Sequence, residues 1–260
     1  MTEYDDIDYR VTEGRAEITL DRPDVMNAYT ADTLVELNHA VEEAIDDDRV
    51  YVLILTGRGR GFCTGRDLRD GTTSDNRLSE SERLGRVGAV MRHLYHGEKP
   101  TVAAVNGPAV GGGMELSLAC DFRVVHESAF FRDGHVKTGF TPATGGAWIL
   151  PRLVGEARAK RATLLGEDID AERAVEWGMA VDAVDGDVME RAREVANRLR
   201  DVPSTALRES KSLFDPTVSS FDEHAHATVE ARWECQDAPE SVESRAAMAE
   251  DREPDFGREY

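Results

Sequence analysis

Lysine is the scarcest charged residue in this 260-residue chain: Lys99, Lys137, Lys160 and Lys211 stand against 51 aspartates and glutamates, for a net charge of −20. So acidic a surface repels nucleic acid and anionic membrane, because the electrostatic attraction that dominates such binding has the wrong sign. Neither is expected as a partner. The acids are spread over the whole length instead of forming one tail. Mobile ions of a high-salt cytoplasm would screen the self-repulsion of such a surface, so a halophilic source is expected. Cysteine is nearly as rare. Cys63, Cys120 and Cys235 are odd in number and far apart, without paired metal-ligand spacing, which points to buried or free thiols and away from disulfides, zinc and redox chemistry. Long apolar runs are missing as well: no segment approaches the ~20 residues of a membrane span, and no N-terminal stretch has the form of a signal peptide. A soluble, cytoplasmic protein is expected, with apolar content of 40%, enough for a substantial core.

The pattern along the chain is α/β at first and helical later. Ile7 to Val11 and Ala16 to Leu20 alternate around Glu13-Gly14 and predict a hairpin. Leu34, Leu37, Val41, Ala44 and Ile45 fall at helical spacing, Tyr51 to Leu55 is a short apolar strand, and a glycine-broken loop follows from Thr56 to Gly61. The polar stretch Arg69 to Glu82 is a candidate flap, and a helix is expected over Ser81 to His96. Strands are predicted at Thr101 to Val105, Asp121 to Val125, Ala129 to Phe131 and near Met179 to Val184, with mostly helix from Gly145 onward. This divides the chain into an α/β core over residues 1–195 and a helical C-terminal region over 196–260, too small and amphipathic to stand alone.

One run carries chemistry on its face. Gly111-Gly112-Gly113-Met114-Glu115 follows the Thr101 strand and Asn106-Gly107-Pro108. Glycine lets a backbone approach a ligand with its N–H groups exposed. A helix starting there aims those donors and its positive end at an anion, with Glu115 one turn inside. This is a layout for stabilising an oxyanion while moving a proton; an ordinary strand-to-helix turn with a solvated glutamate is the plainer alternative.

In this order the chain resembles the enoyl-CoA hydratase/isomerase family, the crotonase superfamily, over nearly its whole length. The resemblance rests on Ile18-Thr19-Leu20-Asp21-Arg22-Pro23 with Met26-Asn27-Ala28, on Phe62-Cys63-Thr64-Gly65-Arg66-Asp67-Leu68, and on Lys99-Pro100 through Val105-Asn106-Gly107. Gly111 to Glu115, Cys120-Asp121, Pro142 with Gly145-Gly146, Leu150 to Gly155 and Trp177-Gly178-Met179 continue it. It implies a crotonase-like spiral of ββα units, assembled as a homotrimer or homohexamer, that acts on acyl-CoA thioesters in fatty-acid-type metabolism. Coenzyme A would arrive as part of the substrate, with no cofactor bound permanently. Two backbone N–H groups of the family bind the thioester oxygen; here they fall on Arg66 and Gly112. Arg22, Gly65, Asp67, Leu68, Arg69 and Gly111 would contact substrate or CoA, and Trp148 could border an acyl pocket or fill the core.

Family hydratases commonly pair two glutamates. Glu115 matches the first, whereas alignment on Gly139 puts His135 where the second is expected. Histidine accepts or donates protons near neutrality, so a Glu115/His135 pair around a water is a chemically sensible variant in which His135 positions or deprotonates that water. Alternatively His135 fills space and Glu115 works alone, as an isomerase requires. Asp133, two residues earlier in a glycine-containing turn, is a weaker candidate for the second position and reads more readily as a turn residue. Thr141 to Arg152 resembles the ring-modifying isomerase branch acting on phenylacetyl-CoA derivatives, except that Ala143 stands where that branch has an aspartate. The lysines that family members place near CoA phosphates are replaced by Asp24, Arg69 and Asp251, leaving Arg22, Arg58 and Arg252 as substitutes. His93 and His96 share a helix face but lack a third ligand, and Ser117 lacks a base, so a metal site and a serine hydrolase are disfavoured. The expected function is syn-hydration of a trans-2-enoyl-CoA, with double-bond isomerisation as the second reading. A thioester hydrolase and a non-catalytic acyl-CoA-binding paralogue rank below.

Overall fold

A computed structural model describes residues 4–68, 80–142, 144–214 and 221–258. The predicted hairpin forms from β1 (Ile7–Thr12) and β2 (Arg15–Leu20), joined by Glu13 and Gly14 at positive φ, the two-residue turn whose twist suits a hairpin. From β2 the sheet grows by parallel pairing through β3 (Val52–Gly57), β4 (Thr101–Val105), β6 (Phe122–His126) and β9 (Asp182–Val184). A second sheet sets β5 (Ala109–Val110) parallel to β7 (Phe130–Arg132), with β8 (Ile169–Asp170) antiparallel on the far side. The chain is thus an α/β fold, as the sequence implied.

At the centre of the larger sheet both faces are buried, which is why β3 and β4 are nearly continuous apolar runs. Helix α1 (Ala31–Asp46) lays Leu34, Leu37, Val41 and Ala44 on one face, together with Leu53, Leu55, Ala103 and Val105. Its start is fixed by a reciprocal capping box: Thr33 N–H donates to Thr30 Oγ1 at 3.2 Å and Thr30 N–H to Thr33 Oγ1 at 3.1 Å. Helix α2 (Glu80–His96) packs beside it through Val87, Val90, Met91 and Leu94. The other face carries Val52, Ile54, Val102, Ala104 and Val124 against Val188, Ala192, Val195 and Ala196 of α7 (Val188–Arg200). That helix crosses the 195/196 boundary without a break, so packing on the sheet continues to Leu199.

Beyond it lie α8 (Ser204–Ser212), α9 (Phe221–Gln236) and α10 (Pro239–Glu250). Helix α8 is tied to the core by Lys211, whose ammonium donates to Asp121 Oδ2 at 2.8 Å and to the carbonyls of Lys99 and Leu94 at 3.0 and 3.2 Å. Lys99 in turn donates to the Ala44 and Asp47 carbonyls at the end of α1. Two of the four lysines are therefore internal ties. Among the described residues no helix is long and apolar enough to cross a membrane. Burial pushes the Cys63 and Cys120 thiols up to about 12, which keeps them unreactive.

Candidate active site

The glycine run is a strand-to-helix turn. Gly111 takes φ +54, a value costly for other residues, and α3 (Gly112–Ala119) starts immediately after it. Gly113 admits no side chain, since a Cβ there would lie 2.0 Å from the Cys63 carbonyl oxygen. The far end of α3 is held by Arg123, which is 4% exposed and donates to the carbonyls of Ser117, Cys120 and Asp121. A cation at a helix C-terminus suits the dipole and satisfies the orphan carbonyls. Arg123 thus anchors the helix that carries Glu115.

The small sheet explains why residues twenty apart meet. Strands β5 and β7 run parallel with Val110 paired to Arg132, and Gly111 N–H donates to the Arg132 carbonyl at 2.8 Å. Both strands end at one level. The segments that follow, Gly112 to Glu115 and Asp133 to Gly139, therefore emerge side by side. After Asp133 and Gly134, a single 3-10 turn at Val136–Thr138 presents His135 towards α3.

Glu115 is 4% exposed. Its carboxylate accepts from Gly146 N–H at 3.0 Å and Thr144 N–H at 3.3 Å on Oε1, and from the Thr144 hydroxyl on Oε2. These donors precede or open α4 (Gly146–Val154), and a Cβ on Gly146 would stand 2.7 Å from Oε1. His135 Nε2 lies 3.9 Å from Glu115 Oε2. That is too long for a direct hydrogen bond, but an oxygen about 2.8 Å from each atom fits the gap. On its other side, His135 Nδ1 is 2.7 Å from Asp133 Oδ1, and Asp133 Oδ2 accepts from Thr163 Oγ1 at 2.8 Å, on α5 (Glu156–Leu164). Burial pushes the Asp133 carboxyl up, but hydrogen bonds from His135 and Thr163 outweigh it and hold it below its ordinary value. An ionised carboxylate only accepts, so Nδ1 carries a proton. The His135 imidazole is raised above its ordinary value by the hydrogen bond to Asp133, against the opposing effect of burial and with help from the nearby Glu115 charge.

The second loop closes the site. Tyr29 forms a parallel bridge with Arg66: Tyr29 N–H donates to the Gly65 carbonyl at 2.8 Å, and Asp67 N–H to the Tyr29 carbonyl at 2.9 Å. In such a pair the opposed residue turns its own N–H to the other edge, so the Arg66 N–H lies on the edge away from Tyr29. A Cβ on Gly65 would come 3.1 Å from the Gly112 nitrogen, so the two loops abut. Asn27 fixes the approach. Its side chain is 1% exposed, accepts from Arg22 N–H at 2.9 Å and donates to the carbonyls of Arg58 and Gly61. Gly65, Arg66, Leu68, Gly111, Gly112, Glu115 and His135 all line one mostly apolar cavity of about 440 Å³, within the usual range for small-molecule sites.

Other residues singled out in the sequence lie elsewhere. Arg22 points inward, 3.4 Å from Asp6 and 3.3 Å from Asp67, and also donates to the Ala28 carbonyl. Asp67 is 8% exposed and is Arg22's partner. Both residues brace the loop from behind, and neither lines the cavity. Trp148 is neither pocket wall nor core: it is 48% exposed, with the Arg152 guanidinium 3.1 Å above its ring. Arg58 and Arg252 are paired with Asp8 and Asp21 and with Glu243 and Glu250. Arg69, Ala143 and most of the candidate flap lie outside the described residues. The partners that sequence reasoning missed are Thr144, which donates to Glu115, and Thr163, which donates to Asp133.

The chain matches known proteins over nearly its whole length. Residues 10–259 match the family model described as enoyl-CoA hydratase/isomerase. A probable enoyl-CoA hydratase of Rhodobacter capsulatus is 38% identical over 256 residues, 97% of this chain and 98% of the relative. The 1,2-epoxyphenylacetyl-CoA isomerase of Escherichia coli is 37% identical over 204 residues, 76% of this chain and 77% of its own. The crystal structure of an enoyl-CoA hydratase from Bacillus anthracis superposes with a TM-score of 0.90 at 29% identity, covering 98% of this chain and all of that one.

Proposed function

We propose, from the premise that the chain belongs to the enoyl-CoA hydratase/isomerase family, that it adds water syn across the double bond of a trans-2-enoyl-CoA. The observation that carries this reading is the Glu115–His135 pair, with Oε2 and Nε2 3.9 Å apart on one wall of the cavity. Glu115 takes a proton from the water as its oxygen bonds to Cβ, and the π electrons move to the thioester oxygen. Gly112 N–H at the start of α3 and Arg66 N–H hold the resulting enolate; each such donor is worth roughly 100- to 1000-fold in rate. His135, whose charged form is favoured by Asp133, gives its Nε2 proton to Cα in place of the water-activating role read from the sequence. Proton transfer from Glu115 back to His135 resets the site. Both groups act from one side of the substrate, which gives syn addition.

Gly65, Gly111 and Leu68 bound the acyl thioester, with Leu68 at the mouth, 67% exposed. Coenzyme A is substrate, and Arg69 is its candidate phosphate contact. The exposed Phe214, Trp233 and Met248 of the C-terminal region favour assembly as a homotrimer or homohexamer, which light scattering would test against a monomer. A high-salt cytoplasm is the setting that the charge of −20 suits. The isomerase reading uses Glu115 alone and is favoured by the 37% identity to the epoxyphenylacetyl-CoA isomerase.

Mixing the protein with crotonyl-CoA in high salt, following the conjugated-thioester absorbance and identifying the product as hydrated or double-bond-shifted separates the two. Hydration predicts loss of signal, abolished by Glu115→Gln and slowed ~100-fold or more by His135→Ala. A silent His135→Ala would remove His135 from the mechanism.

A further inference from the structure

Asp133 reads from the sequence as a turn residue, yet it is 6% exposed and every oxygen of its carboxylate is engaged. Oδ1 accepts from His135 Nδ1 at 2.7 Å and from His135 N–H at 3.2 Å, while Oδ2 accepts from Thr163 Oγ1 at 2.8 Å. A turn needs only the backbone contact. The contact to the ring and the anchor on α5, thirty residues away, do something else: they fix one imidazole orientation and one tautomer. With Nδ1 held as a donor to Asp133, Nε2 is the atom left to face Glu115 and the cavity.

We infer that Asp133, oriented by Thr163, is a positioning residue: it holds the Nδ1 side of His135 and so keeps Nε2 turned to Glu115 and the cavity. This deepens the hydration reading and rests on it. The reaction's own groups supply the balance: the Nε2–H bond breaks as the Cα–H bond forms, and Glu115 returns a proton afterwards. The charged groups facing His135 are Asp133 on its own loop and Glu115 on α3; Arg66 lines the cavity wall, and Lys137 on the adjacent turn is turned to the Gly166 carbonyl at 2.7 Å. Two anions thus face the ring, and Asp133 is the one in direct contact. A proton donor works below its own pKa and fails as pH rises through it. An anion that raises that pKa extends activity upward, and its neutralisation pulls the alkaline limit down.

The test uses the full-length protein and the near-isosteric Asp133→Asn, with Asp133→Ala as the second variant. Two quantities are read: the titration of the His135 ring by NMR, and the pH profile of kcat with crotonyl-CoA in high salt. The expected result is a His135 titration moved to lower pH, an alkaline limb of kcat moved the same way, and kcat down about 10-fold at mildly alkaline pH with KM little changed. That is smaller than the ~100-fold expected on removing His135 itself. An unmoved titration overturns the inference, as does an unmoved alkaline limb. If the wild type does not hydrate crotonyl-CoA, the hydration reading falls and the titration alone decides: a lowered value upholds the coupling of Asp133 to His135, and an unmoved one overturns it.

Discussion

Gly146→Ala perturbs the position of the Glu115 carboxylate without removing any titratable group. A Cβ at residue 146 would stand 2.7 Å from Oε1 and 2.9 Å from Cγ of Glu115, whereas ordinary contact begins at 3.4 Å. The carboxylate must therefore move by about 0.7 Å, away from the Gly146 N–H it now accepts from at 3.0 Å. Overpacking of this kind costs ~1–3 kcal/mol, and alanine at a helix start recovers up to ~1 kcal/mol relative to glycine, so the variant should stay folded with a modestly lower melting temperature. Catalysis should suffer more, because a misplacement near 1 Å costs on the order of 100-fold; for 0.7 Å we expect kcat down by about 10- to 100-fold. The assay is crotonyl-CoA hydration beside a circular-dichroism melt. Thr144→Val, which deletes the hydroxyl donor to Oε2 without adding bulk, should cost about 10-fold. A Gly146→Ala protein with wild-type kcat would refute the reasoning, since the base would then not need the place these donors give it.

Two further predictions concern the scaffold. Lys211→Met leaves Asp121 and two carbonyls without their shared donor and should destabilise the fold by ~1–3 kcal/mol, read as a shift in the denaturation midpoint; an unchanged midpoint would mean that α8 is held by packing alone. The melting temperature should rise steeply with KCl as self-repulsion is screened, and a protein fully stable in dilute buffer would rule out the high-salt setting.

What could be read from the sequence was local. The Gly111 to Glu115 turn was visible because its glycines, its helix start and its acid are consecutive, and α1 and α2 because their apolar spacing is regular. Partners distant in sequence were not visible. Asp133 ranked as a weak candidate and more readily as a turn residue because its neighbour Gly134 suggests a turn, while the hydroxyl it accepts from, on Thr163, lies thirty positions on. Arg22 looked available to a phosphate, but Asp67, forty-five positions away, claims it. Trp148 could not be placed because α4 is only nine residues long and contains Pro151, too short for periodicity to separate a buried face from an exposed one. His135 was located by its spacing from Gly139, but the contact of its Nδ1 with Asp133 is something only the fold brings into view.

In the proposed reaction water is added to the double bond, with Glu115 and His135 on one side of it. Turnover of crotonyl-CoA in oxygen-18-labelled water, with the product weighed by mass spectrometry, tests this most directly. The expected product is a 3-hydroxyacyl thioester carrying one labelled oxygen in the wild type, with none formed by Glu115→Gln. A product with a shifted double bond and no added oxygen, or unchanged thioester, would contradict it.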